Sequence, residues 1–312
     1  MERRGFFKMA AAAGLAGTGQ IQGAAQTGAA PQVVIERAVA NQPSKGKVFA
    51  LITPHLDDGP IFAGGTVAKL LNEGYTGFFI RVSNDEKDSY NLTLGETVLA
   101  NEQDAAQFVK TAGLKKWYDL SYRNHGLDDV SRMELRVRLI FLFRLLKVDT
   151  VLSYDPWGHY EENPDHYVTA QAVEAACWMA GDHLDFPEQF EVGLKAHAVT
   201  EKYYFARGPQ LVNRVVDIGP VLQQKVAYIR ACKNMIDNML RGVNDQLAER
   251  GYRLPAYTGS PDTANDAFIQ NTFVARDKAV GARHGLEYAE EFHYIGPDRL
   301  VDRYIAMGAV RI

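Results

Sequence analysis

Cysteine is scarce in this chain, and basic residues are in slight deficit. Only Cys177 and Cys232 occur in 312 residues, too few for a disulfide scaffold. Both fall in segments predicted to be helical and are expected to be small buried hydrophobes; a single bridge between them is the alternative. Lysine and arginine total 34 against 38 acidic residues, for a formal net charge of -4, and no basic stripe occurs. The chain therefore lacks the charge that a nucleic-acid-binding protein uses to neutralise phosphates.

Long apolar runs are also missing, since after the first 30 residues none reaches the length of a membrane-spanning helix. Near the start, Arg3 and Arg4 are followed by two phenylalanines and by the weakly apolar, Ala/Gly-rich stretch 9–17. This pattern is typical of a twin-arginine export signal that is later removed. We expect residues 1–30 to be the signal and residues 31–312 the mature domain. The protein would then be periplasmic or extracellular, with no transmembrane anchor.

From residue 47 onward, short runs rich in β-branched and aromatic residues alternate with longer stretches of helical periodicity. We predict strands at 48–53, 77–83, 117–120, 150–154 and 198–206, and helices at 61–72, 95–112, 133–146 and 168–181. A longer helix is predicted at 221–250, and the loop predicted at 251–265 is either a lid or a connector. The predicted fold is α/β, a Rossmann-like three-layer sandwich with a mostly parallel sheet and a helical C-terminal extension.

The sharpest motif in the chain is Pro54-His55-Leu56-Asp57-Asp58-Gly59, which directly follows the first predicted strand. In open α/β sheets, reactive groups gather at the carboxyl ends of strands. Adjacent residues on such a turn point in different directions, so one aspartate can bind a metal while the other faces a water molecule. Metal-assisted hydrolysis needs this division, because one acid fixes the ion and the other accepts a proton.

A second polar cluster follows the strand predicted at 150–154 and ends in Asn163-Pro164-Asp165-His166, where a helix begins. If the two strands are neighbours, His166 comes next to the first motif. Two histidines and one aspartate would leave a coordination position open for water and substrate, as in catalytic zinc sites. The stretch 81–88 follows the second predicted strand, so Arg81 or Asn84 is a candidate to hold sugar hydroxyls; a solvated charged loop is the alternative.

His-x-Asp-Asp after the first strand, with Pro-Asp-His later, resembles the LmbE/PIG-L family of metal-dependent N-deacetylases. The stretches 144–152, 203–205 and 288–292 and Glu102 are also similar to family features. The resemblance implies that His55, Asp58 and His166 hold zinc and that Asp57 is the general base. It also implies hydrolysis of an N-acetyl group on an amino sugar, usually of the glucosamine type. Zinc rather than iron or manganese rests on this resemblance, and the oligomeric state is not predicted.

Two positions depart from the family pattern. The family usually has glutamate where this chain has Gly59, and histidine where it has Asn163. An asparagine donates a hydrogen bond but delivers no proton, and general acid help is typically worth about 10²–10⁴-fold in rate. We therefore expect a slower enzyme unless His159, His125 or Asp57 itself supplies the proton.

Two rival hypotheses come from other functional classes. A non-haem iron oxygenase also uses two histidines and one carboxylate, and His55, Asp57 and His166 match that set. A metal-containing sugar-binding protein, weakened as an enzyme by Asn163 and Gly59, is the second rival. Retention of both aspartates speaks against it, because a binding module has no need of a general base.

Overall fold

The computed structural model describes residues 33–297 and 299–310. The predicted export signal at 1–30 lies outside these residues. Within the described part, no helix combines the length and the apolar character that a membrane crossing requires.

Eight described strands form one sheet. In chain order they are β1 (Val34–Glu36), β2 (Val48–Thr53), β3 (Thr76–Ser83), β4 (Lys116–Tyr122), β5 (Thr150–Tyr154), β6 (Glu201–Phe205), β7 (Arg214–Asp217) and β8 (Ala289–Ile295). Their order across the sheet is β1-β7-β8-β6-β5-β2-β3-β4. Strand β8 pairs antiparallel with both β6 and β7, and every other pairing is parallel. The mostly parallel sheet predicted from the sequence is confirmed.

Helices cover both faces of this sheet. In chain order they are α1 (Asp58–Asn72), α2 (Leu94–Ala112), α3 (Arg132–Leu146), α4 (Pro164–Ala180), α5 (Glu188–Glu191), α6 (Leu222–Ala231), α7 (Lys233–Glu249), α8 (Pro261–Ile269), α9 (Ala275–Arg283) and α10 (Arg299–Ala306). Alternate residues of β2 enter different cores: Phe49 and Leu51 pack with α1, α2 and α6, whereas Ala50 and Ile52 pack with α3 and α4. The three-layer sandwich is therefore confirmed.

The connections out of β2 and β5 determine where a site can form. Chain order runs from β2 outward to β3 and β4 on one side, and β5 and β6 lie on the other side of β2. The order thus reverses between β2 and β5, which pair in parallel from Phe49 with Thr150 to Leu51 with Leu152. Crevices at such switch points, at the carboxyl ends of the strands, are the usual ligand sites of open α/β sheets.

The C-terminal part differs from the prediction in several places. The helix predicted at 221–250 is interrupted at Cys232, whose ψ of 48° separates α6 from α7. The loop predicted at 251–265 is wrong from residue 261 onward, because Ser260 caps α8 through a hydrogen bond from the Thr263 N–H and Pro261 occupies its first turn. Strands β1, β7 and β8 were not predicted. They are short or carry several charged residues, so they lack an apolar run.

Cys177 and Cys232 are both buried and free. Cys177 belongs to the core on the α3/α4 face and Cys232 to the core on the α1/α6 face. Their interpretation as small buried hydrophobes is confirmed, and the alternative of a bridge between them is excluded.

Candidate active site

Two imidazoles, which follow β2 and β5 in the chain, lie close together. His55 Nδ1 lies 3.2 Å from His166 Nε2, and the two ring centres are 5.1 Å apart. Both residues are buried, at 6% and 3% exposure. The ring of Tyr154, the last residue of β5, stacks on His166 with centres 4.2 Å apart. Residues 111 positions apart in the chain thus meet at one point because their strands are neighbours in the sheet.

Asp58 completes this group of donor atoms. One carboxylate oxygen, Oδ2, is 3.3 Å from His55 Nδ1, and the other, Oδ1, is 3.7 Å from His166 Nε2. In a tetrahedral zinc site with bonds of about 2.0–2.1 Å, neighbouring ligand atoms are roughly 3.3 Å apart. The chemistry and the spacing of His55, Asp58 and His166 therefore fit one metal ion.

The charge of Asp58 is stabilised within this group. Burial opposes the ionised form, but His166, His55 and the hydroxyl of Tyr154, which donates to Oδ1 at 2.6 Å, outweigh it. Together they lower the pKa of Asp58 to about 2. Asp58 is thus an anionic oxygen donor at any ordinary pH, as a metal ligand must be.

A further carboxylate stands behind each imidazole. His55 Nε2 lies 3.1 Å from Asp165 Oδ2, and His166 Nδ1 lies 3.1 Å from Glu161 Oε2. A carboxylate at the outer nitrogen fixes the ring and its tautomer, so that the inner nitrogen presents a lone pair to the metal. Burial disfavours charge on His55, yet the bonds to Asp165 and Asp58 raise its pKa well above the usual value. The same negative surroundings favour a bound cation.

Asp57 lies beside this group without being part of it. It occupies the residue before α1, and its carboxylate makes no hydrogen bond or ion pair with the described part of the chain. Burial, followed by the charges of Asp58 and Asp88, raises the pKa of the Asp57 carboxyl well above its usual range. A raised pKa makes a carboxylate a stronger proton acceptor.

His55, Asp57, Asp58 and His166 line one cavity of about 290 Å³. Its polar side combines these four residues with other polar side chains, and its other side is apolar. The polar lining consists of His55, Asp57, Asp58, Asp88, His125, Asn163, His166 and Arg207, and the apolar lining of Ile61, Phe62, Met239 and Phe273. The cavity can therefore hold a metal, a polar reacting group and a small apolar substituent at once.

Five of the eight site residues named from the sequence meet in this cavity: His55, Asp57, Asp58, Asn163 and His166. Asn163 has a second task, because its Oδ1 caps α4 by accepting the Asp165 N–H at 3.0 Å. That bond leaves its amide group as the donor available to the cavity. His125, an alternative candidate for the proton donor, also lines it.

His159, Arg81 and Asn84 do not reach the cavity. His159 is exposed, and its backbone N–H bonds the Pro209 carbonyl at 3.1 Å. Because it does not line the cavity, the structure does not support a role for it in catalysis. The side chain of Asn84 bonds Glu86 on its own loop instead of facing the crevice.

Arg81 is fully buried, and its guanidinium pairs with Asp85 and with Asp119. Because it is fully buried and does not line the cavity, it is out of reach of a sugar hydroxyl, and the expectation of substrate binding is corrected. Asp85 in turn accepts the backbone N–H of Leu56 at 3.3 Å. Arg81 therefore supports the loop that presents His55.

The departure at Gly59 has a steric cause. A Cβ at this position would lie 2.5 Å from Cδ2 of Leu51 in β2, closer than any side chain tolerates without a shift. A glutamate here would therefore require the Leu51 side chain to move, and glycine lets α1 begin close to β2.

Six cavity residues were not named as site residues from the sequence: Ile61 and Phe62 in α1, and Asp88, Arg207, Met239 and Phe273. Asp88 and Arg207 follow β3 and β6, so their place after the carboxyl ends of parallel strands was a usable signal. Met239 lies in α7 and Phe273 in a short π-helical segment, Gln270–Val274. Only tertiary packing brings these two to the cavity, and nothing in their local sequence marks them.

Known proteins share this sequence and fold. Residues 50–177 match the family model described as PIG-L, GlcNAc-PI de-N-acetylase. Diacetylchitobiose deacetylase of Thermococcus kodakarensis is 25% identical over 188 residues, which are 59% of this chain and 68% of that protein. The structure of N,N'-diacetylchitobiose deacetylase from Pyrococcus horikoshii matches with a TM-score of 0.66 and 22% identity, over 82% of this chain and 86% of that one.

A hydratase has a similar fold. The 4-carboxy-2-hydroxymuconate hydratase of Pseudomonas putida matches with a TM-score of 0.57 and 16% identity, over 80% of this chain and 97% of that one. Fold alone therefore does not name the reaction, and the sequence match carries the assignment. The resemblance to the PIG-L/LmbE deacetylases that the two motifs predicted is confirmed over residues 50–177, which include both motifs.

Proposed function

We propose that the protein is a zinc-dependent hydrolase that removes the acyl group from the nitrogen of an amino sugar. One observation carries this proposal: the donor atoms of His55, Asp58 and His166 converge at distances that suit a single ion, and the unpaired carboxylate of Asp57 shares their cavity. A ligand set with an adjacent free base suits hydrolysis better than structural metal binding.

His55, Asp58 and His166 would hold the metal. When bound, zinc lowers the pKa of a coordinated water to about 7 and polarises a carbonyl group. Asp165 and Glu161 keep the two imidazoles oriented for that task. Two neutral imidazoles and one carboxylate leave a net positive charge at the ion, which suits the negative charge that an amide carbonyl develops.

Asp57 accepts the proton of the attacking water, and the water oxygen adds to the amide carbon. The Asn163 amide, on the opposite loop, donates a hydrogen bond to the developing negative charge. The carbon–nitrogen bond then breaks as the nitrogen gains a proton. Because Asn163 has no proton to give, Asp57 returns its own to the departing amine, so one carboxylate serves as base and then as acid.

The cavity suits an acyl amide on a larger polar molecule. The apolar side chains of Met239 and Phe273 provide a surface for the acyl group. A second cavity of about 470 Å³ adjoins the first through Phe62 and Arg207, which line both. The remainder of a glycoconjugate would extend into it. Diacetylchitobiose is a substrate suggested by the names of the relatives.

We also propose that the protein acts after export, in the periplasm or outside the cell. The paired arginines and the Ala/Gly-rich stretch of residues 1–30 support this proposal. A fusion of residues 1–30 to a reporter that folds before export would test it, with Arg3→Lys and Arg4→Lys as the variant expected to stay inside.

The central experiment measures acetate released from N-acetylated amino sugars and from diacetylchitobiose. We expect release by the zinc-loaded protein, loss on chelation and recovery when zinc is restored. Asp57→Asn should retain zinc and lose about 10²–10⁴-fold in kcat, because the base is removed and the ligands are kept. Asp128→Asn, an exposed aspartate outside the cavity, is the matched control.

The same assays separate the rival hypotheses. Bound zinc without acetate release from any sugar would favour a sugar-binding protein. Bound iron with oxygen uptake would favour an oxygenase, a hypothesis that the family assignment already weakens. Full activity of Asp57→Asn would contradict the assigned base.

A further inference from the structure

Glu290 in β8 reaches into the middle of α1, the helix that begins beside Asp57. Its Oε1 accepts the Gly65 N–H at 2.9 Å, and its Oε2 accepts the N–H and the hydroxyl of Thr66 at 2.8 and 2.6 Å. In a regular helix those N–H groups bond carbonyls four residues earlier. A carboxylate that accepts them enters the hydrogen-bond ladder of the helix, and such insertions are among the few causes of helix bending.

Arg276 in α9 makes the complementary contact. Its Nη2 donates to the carbonyl of Ile61, four residues before Gly65, and its guanidinium lies 4.7 Å from the centre of the Phe62 ring. Ile61 and Phe62 both line the cavity. Two side chains from the C-terminal part of the chain therefore bind the first two turns of α1. The Glu290 carboxylate accepts backbone N–H groups, and the Arg276 guanidinium donates to a backbone carbonyl.

The pair Gly64-Gly65 makes room for this contact. A Cβ at Gly65 would lie 2.5 Å from Cγ2 of Ile218, and one at Gly64 would lie 3.1 Å from Cγ of Lys225. Larger residues at these positions would push α1 away from the segment 218–225. The two glycines thus allow the segment 218–225 to approach the backbone of α1 closely.

Lys225 provides the charge that a buried carboxylate requires. Its Nζ lies 2.8 Å from Glu290 Oε1 and 2.5 Å from Asp277 Oδ2, and none of these three residues is more than 2% exposed. Buried ion pairs add little to stability on balance, but they enforce one arrangement over others in some proteins. The cost of burying three charges beside α1 indicates that this arrangement matters.

We infer that Glu290 is a positioning residue, which through α1 sets where Asp57 and Asp58 stand relative to His166. The inference rests on the metal site and the general base proposed above. Gly65 lies seven residues after Asp58, about 10 Å along the helix axis. Glu290 therefore acts on Asp57 and Asp58 only through the helix, although it also lines the second cavity. A displacement of about 1 Å at a reacting group can lower the rate ~10²-fold.

The test is Glu290→Gln, which keeps the size of the side chain but removes its charge and one of its acceptor atoms. Zinc affinity is measured by competition with a chelating dye, and kcat and KM by acetate release. We expect zinc affinity and kcat both to fall, kcat by up to ~10²-fold as a displacement of about 1 Å would cause. Glu287→Gln is the matched control, since Glu287 is an exposed glutamate three residues earlier and lines neither cavity.

Ile140→Val distinguishes a positioning role of Glu290 from a purely structural one, because Ile140 lies in the core on the opposite face of the sheet. This variant should lower Tm while zinc affinity and kcat stay at the wild-type level. If Glu290→Gln likewise lowers only Tm, the inference is overturned. If Glu290→Gln does not fold, Thr66→Val decides, because it removes one bond to Glu290 and should lower zinc affinity in the same direction. Unchanged zinc affinity in Thr66→Val would then overturn it.

The zinc measurement also keeps this inference apart from the proposed function. If the wild type releases no acetate from any sugar, the deacetylase proposal fails, but zinc affinity still tests the role of Glu290. Weaker zinc binding by Glu290→Gln than by Glu287→Gln would support positioning in either case.

Discussion

The parts of the chain before and after residue 208 contribute differently to the cavity. The first part contributes every polar side chain of the lining, from the loops after the parallel strands and from the first turns of α1 and α4, and it also contributes Ile61 and Phe62. The second part contributes only the apolar Met239 and Phe273, and it supports α1 through Arg276 and Glu290. Polar groups thus come from the region of the strand ends, whereas helices packed later in the chain complete the apolar side.

This division has a consequence for mutagenesis. Changes in the first part should remove metal or turnover outright, because they delete groups that bind or react. Changes at the apolar cavity side chains of the second part should alter the choice of substrate while the chemistry persists, whereas a change at Glu290 should act through α1 on the metal site. The predictions below test that contrast, beginning with the largest expected effect.

His166→Ala should abolish both zinc binding and acetate release. The substitution deletes one of the three proposed ligands and removes a neighbour that lowers the pKa of Asp58. Metal content of the purified protein and acetate release would be measured together. His159→Ala, seven residues earlier in the same loop, should behave as wild type because that side chain is exposed outside the cavity. Loss of zinc in His159→Ala would contradict the assigned ligand set.

Glu161→Gln should weaken zinc binding or activity by about 10- to 100-fold, the usual effect of changing a residue behind a metal ligand. Glu161 lies 3.1 Å from His166 Nδ1 and also pairs with Arg207 at the edge of the cavity. A neutral amide orients the imidazole less strongly. Glu162→Gln is the control, since that side chain is 90% exposed. Equal effects in the two variants would show that Glu161 has no special role.

Asn163→His should raise kcat by roughly 10-fold, because an imidazole at this position can deliver the proton that an amide lacks. The same change removes the cap of α4, which should lower the free energy of unfolding by about 1 kcal/mol. Rate and stability would therefore move in opposite directions. An unchanged kcat would mean that Asp57 alone already supplies the proton efficiently, and Asn163→Ala, which loses the cap and gains no acid, would isolate the stability effect.

The first part of the chain was also the more predictable from the sequence. Strands β2 and β5 are buried on both faces, so they read as apolar runs, and the residues directly after them were placed correctly in the cavity. That β2 and β5 are neighbours could not be predicted, because local sequence patterns do not determine the order of strands in a sheet. His159 shows the limit, because the direction of a side chain in a long loop depends on backbone turns such as the left-handed one at Tyr160.

The second part was less predictable because its local sequence patterns do not indicate the secondary structure that it forms. Strand β8 carries two glutamates, and one of them, Glu290, is buried against α1, so no alternation of apolar and polar residues marks the strand. Phe273 lies in a π-helical turn that begins where α8 ends. The prediction for Arg81, in the first part, was wrong for a related reason. Its charge indicated a place in the crevice, but ion pairs with Asp85 and Asp119 hold its side chain in the interior.

Met239→Ala tests whether the second part of the chain affects the choice of substrate and leaves the chemistry unchanged. The change shortens a half-buried side chain on the apolar side of the cavity and leaves every polar group in place. We expect kcat for the N-acetyl substrate to stay near the wild-type value, while kcat/KM for N-propionyl or N-butyryl substrates rises. One methylene in an apolar pocket is worth roughly 10-fold or somewhat more, and the gain should lie at the lower end because Phe273 still lines the same side.

Val243→Ala is the matched control, one turn further along α7 and packed against the core instead of the cavity. It should cost a similar loss of apolar contact without changing the preference for acyl length. If Met239→Ala lowers kcat for every acyl group alike, the C-terminal helices contribute to the chemistry itself, and the division between reactive strand ends and shaping helices breaks down. If only long acyl groups gain, the apolar side is the acyl site, because no other part of the cavity has been altered.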